Sequence, residues 1–452
     1  METKSSRAKF FLALVIFGLM GQIAWVVENM YFNVFIYEMF HASASQISFM
    51  VGASAVAATV TTLLMGALAD KLGKRRVFIC GGYILWGLSI LSFCLIREDV
   101  VRKAFPELAM VSSNLPVLST CVTLVIVMDC VMTFFGSTAN DAAFNAWLTD
   151  VTKPGDRGAA EGINAMMPLV AILAVFGGFM SFDLSKESSW TTIFAIIGSA
   201  VLVIGVAGFF LIKDPKIETK ENQNYFANIF YGFRPSVIKN NATLYLLLIG
   251  FAIFGISIQI FMPYLILYYT ESLKMSNYVL VMAPAIVLAS VFTAFWGRVY
   301  DKKGLKGSMI PALALLCVGY LILFFFRGTA LVFIGSLSMM CGYLAGMAVF
   351  GAAIRDYTPA NRSGMFQGLR IVAQVLIPGV VGPALGAAIL KNADTIVNSD
   401  GTTSFIPNQN IFMGALIVIV VLGGYLAFLF YHLKKHASKG EAADEVVTHE
   451  EA

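Results

Sequence analysis

The chain has 452 residues, 58% of them hydrophobic and only 13% charged, with a mean hydropathy of +0.79 and a formal net charge of +4. One soluble core cannot bury that much apolar surface, so the composition describes a polytopic membrane protein and excludes an ordinary soluble enzyme. The small positive excess is a topology signal and argues against a nucleic-acid partner.

Runs long enough to cross about 30 Å of hydrocarbon at about 1.5 Å per residue fall near residues 9–37, 45–69, 76–96, 117–149, 159–182, 190–212, 241–269, 277–297, 308–326, 330–354, 365–390 and 411–432, twelve spans in all. The first run follows Lys4, Arg7 and Lys9 and has no clear small-residue cleavage site. It is expected to be a retained helix, not a cleaved signal. If the N-terminus is inside, seven of the 31 Lys+Arg residues (Arg97, Arg102, Lys103, Lys186, Lys274, Arg327, Lys391) lie in external loops and Arg370 lies within a span, leaving 23 on the inner side. The positive-inside rule therefore places both termini in the cytoplasm of a plasma or bacterial inner membrane.

Span 1 carries Gln22, Asn29 and Asn33, which fall within about 40° of one another at about 100° per residue and form one polar stripe with Trp25 beside it. Glu28 lies in the outer half of the span, about 120° from Gln22. With no basic partner in the neighbouring spans, it is expected to be a titrating or water-exposed carboxylate, a second protonation site or an external gate.

Span 4 carries Asp129, Asn140, Asp141, Asn145 and Trp147. Counting inward from Asp150, the expected inner end, Asp141 lies roughly 14 Å deep, near the midplane. Asp129 lies about 31 Å from the same end and is expected at the water-exposed outer edge. An ionised carboxylate in hydrocarbon costs roughly 2.5–3.5 kcal/mol or more, so Asp141 is expected to face the protein interior and to bind and release a proton or cation. Glu161 opens span 5. In the second half the polar candidates are Gln259 and Tyr264 in span 7, with Tyr268 and Tyr269 expected in an interfacial aromatic belt, and Arg370 and Gln374 in span 11.

Amides hydrogen-bond without a charge penalty and aromatic faces stack on sugar rings, so the set Gln22, Trp25, Asn29, Asn33, Asn140, Asn145, Gln259, Tyr264 and Gln374 suits a neutral polyhydroxylated ligand. Interhelical amide bonding explains any one of these residues equally well. The six cysteines lie in or at the edges of apolar runs without a C-x-x-C pair, and no His/Cys/carboxylate cluster has metal-ligand spacing. No metal, cofactor or enzymatic activity is therefore expected.

One motif occurs twice: G-x-x-x-D-K-x-G at Gly66, Asp70, Lys71 and Gly73, and at Gly297, Asp301, Lys302 and Gly304, an offset of 231. A second, Asp150…Thr152…Gly162 against Asp356…Thr358…Gly368, repeats at 206. Two parallel six-span halves result, with an insertion near residues 97–117. The expected organisation is a first half at 1–212, a linker at 213–240, a second half at 241–432 and an acidic tail at 433–452 with too few apolar residues to hold a fold.

The duplicated motif between spans 2 and 3 and between spans 8 and 9 resembles the major facilitator superfamily over nearly the whole chain. The resemblance implies an all-helical fold of twelve spans in two halves, with a loop in which Asp70, Lys71, Arg75 and Arg76, and their counterparts Asp301, Lys302 and Lys303, hold one conformation of the halves. Phe17-Gly18-Leu19-Met20-Gly21-Gln22 and Asp141-Ala142-Ala143-Phe144 resemble the glycoside-pentoside-hexuronide cation symporters and the sucrose-proton symporters. That implies sugar or glycoside transport by alternating access in the lipid bilayer, driven by an ion gradient. Span 2 lacks the acidic residues of the sodium-coupled melibiose-permease type, which favours protons. An exporter of hydrophobic or cationic compounds and a non-transporting membrane sensor are the rival expectations.

Overall fold

The computed structural model describes residues 4–109, 114–152, 156–214, 230–358 and 363–450; most of the linker, and the side chains of Asp70 and Glu161, lie outside the described residues. Twelve helical crossings follow one another. Spans 1 to 6 are Arg7–Phe40, Ala44–Ala69, Arg75–Leu95, Leu115–Val151, Arg157–Phe179 and Glu187–Leu211. Spans 7 to 12 are Ala242–Ser272, the two legs of Val279–Phe325, Thr329–Asp356, Gly368–Asn392 and Asn410–Lys434. Val279–Phe325 supplies two legs because its helix breaks at Gly304 (φ 65°, ψ −170°).

The glycine that closes each copy of the duplicated motif ends a helix with a positive φ. Gly73 (φ 64°) caps span 2 by donating its N–H to the Ala69 carbonyl, and Gly304 turns span 8 into span 9. A side chain at such a position costs about 1–2 kcal/mol, so the motif needs glycine for a backbone reason.

The duplication is visible in the packing. Span 1 packs on span 5 in the first half and span 7 on span 11 in the second, pairs related by six spans. Between the halves, span 2 packs along span 11 and span 5 against the helix of spans 8 and 9. The insertion after span 3 folds as two short helices, Glu98–Ala104 and Pro106–Ala109. The last helix continues through Glu450, so the tail is helical rather than structureless. Its Ala, Glu and Lys residues are good helix formers, which composition-based reasoning about a packed core does not weigh.

A hairpin absent from the sequence expectations joins spans 11 and 12. Strand β1, Thr395–Val397, pairs antiparallel with β2, Thr403–Phe405. Asp400 organises its turn, accepting from Thr402 N at 3.0 Å and Thr402 Oγ1 at 2.6 Å, and Gly401 (φ 80°) completes it.

The hairpin reaches across to the first half. Tyr37 donates to the Phe405 carbonyl at 2.6 Å, Ser404 meets His41 Nδ1 at 3.3 Å, and Asp400 faces His41 Nε2 at 3.8 Å and Asn114 Nδ2 at 3.4 Å. Tyr31 and Tyr278 share a hydroxyl contact at 2.9 Å, and Tyr264 donates to the Ala44 carbonyl at 3.0 Å. Among the described residues, these hydrogen bonds between the halves all lie at the hairpin end. The halves are clasped there, opposite the end that carries the chain termini.

Partial burial alone would raise the Asp400 carboxyl, but its bonds from Thr402 and Asn114 and the nearby His41 hold it below its ordinary range. A depressed carboxyl stabilises the clasp fully above about pH 4 and loses that contribution as pH falls further. Replacing Asp400 with Ala removes these bonds at neutral pH. Asp400→Ala is expected to speed labelling of Ser404→Cys by a polar maleimide about fivefold, the equivalent of about 1 kcal/mol for a hydrogen bond; the check is the labelling rate in nanodiscs.

Candidate functional site

Four π-helical turns interrupt the spans among the described residues: Val27–Tyr31 in span 1, Ser137–Phe144 in span 4, Tyr268–Ser272 in span 7 and Val372–Leu376 in span 11. A π turn inserts a residue into the helical register and is frequent at functional sites. Glu28 and Asn29 sit in the first, Asn140 and Asp141 in the second and Gln374 in the fourth.

Asp141 is half-buried and bound only by neutral groups. Ser137 Oγ donates to Oδ2 at 3.0 Å and Asn140 Nδ2 to Oδ1 at 3.4 Å. Asn140 is itself fixed, because Tyr83 donates to its Oδ1 at 3.2 Å and to the Phe17 carbonyl at 2.8 Å. Trp25 lies beside Asp141, its indole N–H buried without a hydrogen-bond partner and its ring 5.0 Å from that of Trp86. Spans 1, 3 and 4 thus converge on one carboxylate with an aromatic wall and the Trp25 indole N–H beside it. Gly21 permits the convergence, since a Cβ there would meet Asn140 Oδ1 and come within 2.8 Å of the Tyr83 hydroxyl.

Glu28 is 7% exposed, so it is a buried group and not a water-exposed one. Its Oε1 accepts from Ser54 Oγ of span 2 at 2.7 Å and from Thr133 Oγ1 of span 4 at 2.8 Å. Asp129 is 2% exposed, which corrects its expected place at the wetted edge. The expectation measured depth from one end against a bilayer thickness. Span 4 is 37 residues long, about 55 Å, so Asp129 lies about 21 Å inside its other end at Leu115.

The polar stripe of span 1 does not hold together. Asn29 is exposed, whereas Asn33 is buried, because the π turn between Gln22 and Asn33 shifts the register of everything after it. The amide groups bond within their own helices: Asn29 Nδ2 to the Trp25 carbonyl at 2.8 Å, Asn33 Nδ2 to the Asn29 carbonyl at 3.1 Å and Asn145 Nδ2 to the Asp141 carbonyl at 3.2 Å. They satisfy carbonyls around the widened turns. Gln22 is half-buried with no side-chain hydrogen bond among the described residues.

In the second half, Tyr264 is fully buried, and its hydroxyl contacts the carbonyls of Ala44 and Pro383. It works as a clasp in this conformation. Tyr268 and Tyr269 are also buried, bonded to the Leu323 carbonyl at 3.3 Å and to Ser336 Oγ at 2.6 Å, so they form no interfacial belt. Their hydroxyls find partners inside the helix bundle, which position near a span end did not reveal. Gln259 packs against Gly382 of span 11, and Gln374 and Arg370 are half-buried.

The loop residues tie the ends of spans within each half. Arg75 Nε pairs with Asp150 Oδ2 at 3.0 Å, and Tyr300 donates to Asp356 Oδ2 at 2.5 Å. Asp150 and Asp356 are the matched residues of the second repeat, so each half fastens its two motif loops together through the same acceptor. Gly66 faces the Cβ of Ala142, Gly297 borders open space, and Lys71, Asp301 and Lys302 are exposed.

The family model described as the Major Facilitator Superfamily matches residues 10–350 and 290–449. No curated protein matches the sequence significantly. Among similar solved structures, a bacterial homolog of the human lysosomal transporter Spinster, in an inward-facing unoccupied conformation, has a TM-score of 0.68 at 15% identity and covers 95% of this chain and 97% of its own. The nucleoside transporter NupG has a TM-score of 0.62 at 12% identity, covering 95% and 99%. The xylose transporter XylE from E. coli has a TM-score of 0.62 at 15% identity, covering 92% and 98%. At these identities the likeness concerns the fold.

Gly21→Ala forces a methyl group into the Asn140–Tyr83 contact and is expected to cost about 1–3 kcal/mol. Adding Asn140→Ala removes the closer clash but leaves the Tyr83 hydroxyl in the way, so it is expected to recover only part of the loss. Thermal unfolding of the single and double variants in detergent checks both effects.

Proposed function

Because the chain belongs to the major facilitator superfamily, we propose that it imports a sugar or glycoside together with a proton, using Asp141 as the coupling carboxylate. The observation that carries this reading is the setting of Asp141: half-buried on a π turn of span 4, hydrogen-bonded by the neutral side chains of Ser137 and Asn140, with Trp25 beside it. A carboxylate without a fixed cation takes up a proton readily when water is excluded and releases it when one side opens. Trp25 offers an aromatic face to a hydroxylated ring, with its indole N–H next to Asp141. Gln22, Gln259 and Gln374 are the further amides assigned to cargo.

The Lys and Arg distribution assigns the end bearing the termini to the cytoplasm. The clasp between Tyr37, His41, Tyr264, Tyr278 and the hairpin then closes the external side, and cargo leaves inward when the halves rock. Two proteins of similar fold carry xylose and a nucleoside by name, ligands rich in hydroxyl groups. They support the ligand class.

The test is uptake of a panel of labelled mono- and disaccharides and glycosides into proteoliposomes of the full chain. At least one sugar is expected to accumulate when an inward proton gradient is imposed and to equilibrate without it. Export of lipophilic cations with no sugar uptake contradicts the reading, as does ligand binding without flux.

A further inference from the structure

The oxygen atoms around Glu28 form a closed triangle. Glu28 Oε1 lies 2.7 Å from Ser54 Oγ and 2.8 Å from Thr133 Oγ1, and the two hydroxyls lie 2.8 Å from each other. Three such edges need three protons, and two hydroxyls carry two. An ionised Glu28 leaves one edge as facing lone pairs, whereas a neutral carboxyl supplies the missing proton.

Two further atoms point to a proton's path. Glu28 Oε2 and Asp129 Oδ1 are both buried with no hydrogen-bond partner, and an unpaired buried carboxylate oxygen is costly. Asp129 lies one helical turn from Thr133, buried in the same part of the first half, where the Glu28 charge bears on it. Asp141 lies eight residues after Thr133 on the same span, on the side of the chain termini. Among the described residues, the titratable groups in reach are Asp129, Asp141 and Cys130 on span 4 and Tyr83 on span 3; none is a cation. Span 2 contributes Ser54.

We propose that Glu28 and Asp129 form one proton-sharing pair, bridged by Ser54 and Thr133, through which protons pass between the hairpin end and Asp141. In the clasped form Glu28 holds the proton. Release passes it to the adjoining hydroxyl oxygen, while Ser54 gives its own hydroxyl proton to the Asp129 carboxylate; one O–H bond forms for each that breaks, and no cation is required. Reversal of the same steps reloads Glu28. The proposal rests on proton coupling as the mode of transport and adds a carboxylate that counting along the helix assigned to water.

The experiment is infrared spectroscopy of the full chain in liposomes. The wild type is expected to show the C=O stretch of a buried protonated carboxyl group that Glu28→Gln removes and Thr133→Val shifts without removing. Asp129→Asn is expected to lower proton-driven uptake relative to substrate counterflow about 100-fold, the usual loss for one positioned proton-transfer group. A wild-type spectrum unchanged by both Glu28→Gln and Thr133→Val overturns the pair, and so does an unchanged ratio in Asp129→Asn. The spectrum needs no cargo: if the sugar panel fails while Glu28→Gln still removes the band, the proposed cargo falls and the pair stands.

Discussion

Three carboxylates on spans 1 and 4, with no cation among the described residues that act on them, set the constraint from which the rest of the transport core follows. Moving an ionised carboxylate into a low-dielectric interior costs several kcal/mol unless a charge or good hydrogen bonds compensate. Here the compensation comes from neutral groups: Ser54 and Thr133 for Glu28, Ser137 and Asn140 for Asp141. Neutral donors stabilise a carboxylate less than Lys or Arg does, so protonation remains within reach. A fixed salt bridge would have locked the charge in place.

The helix geometry serves the same end. The π turn of span 1 carries Glu28 to its contacts with Ser54 of span 2 and Thr133 of span 4. The turn in span 4 does the same for Asn140 and Asp141, and the amides of Asn29, Asn33 and Asn145 cap carbonyls near the widened turns. At the hairpin end, tyrosine hydroxyls meeting backbone carbonyls hold the halves together. Each such bond contributes about 0.5–1.5 kcal/mol, weak enough singly to be broken in a cycle and strong enough together to favour one state.

Much of the architecture was legible in the sequence because it depends on length, apolarity and repetition. Twelve apolar runs became twelve crossings, the duplicated motif marked two halves, and the terminal glycine of each copy had a backbone reason in Gly73 and Gly304. Depth along span 4 singles out Asp141, which lies half-buried on a π turn. What failed was phase and thickness. A π turn has no propensity signature, so the stripe from Gln22 to Asn33 was drawn on a helix that is not regular. Asp129 was assigned to water because span 4 was measured against one bilayer thickness although it runs well beyond it. The hairpin carried a turn signal in Asp400-Gly401, but its strands are three residues each, too short for periodicity to mark.

Proton-coupled transport by this chain depends on Asp141 carrying the proton that moves with cargo. The most direct measurement is the lumenal pH of proteoliposomes during sugar uptake, recorded with a trapped dye for the wild type and for Asp141→Asn. Sugar entry is expected to acidify the lumen in the wild type, and Asp141→Asn is expected to exchange sugar across the membrane without moving protons. A variant that still acidifies the lumen and concentrates the sugar would contradict that role of Asp141.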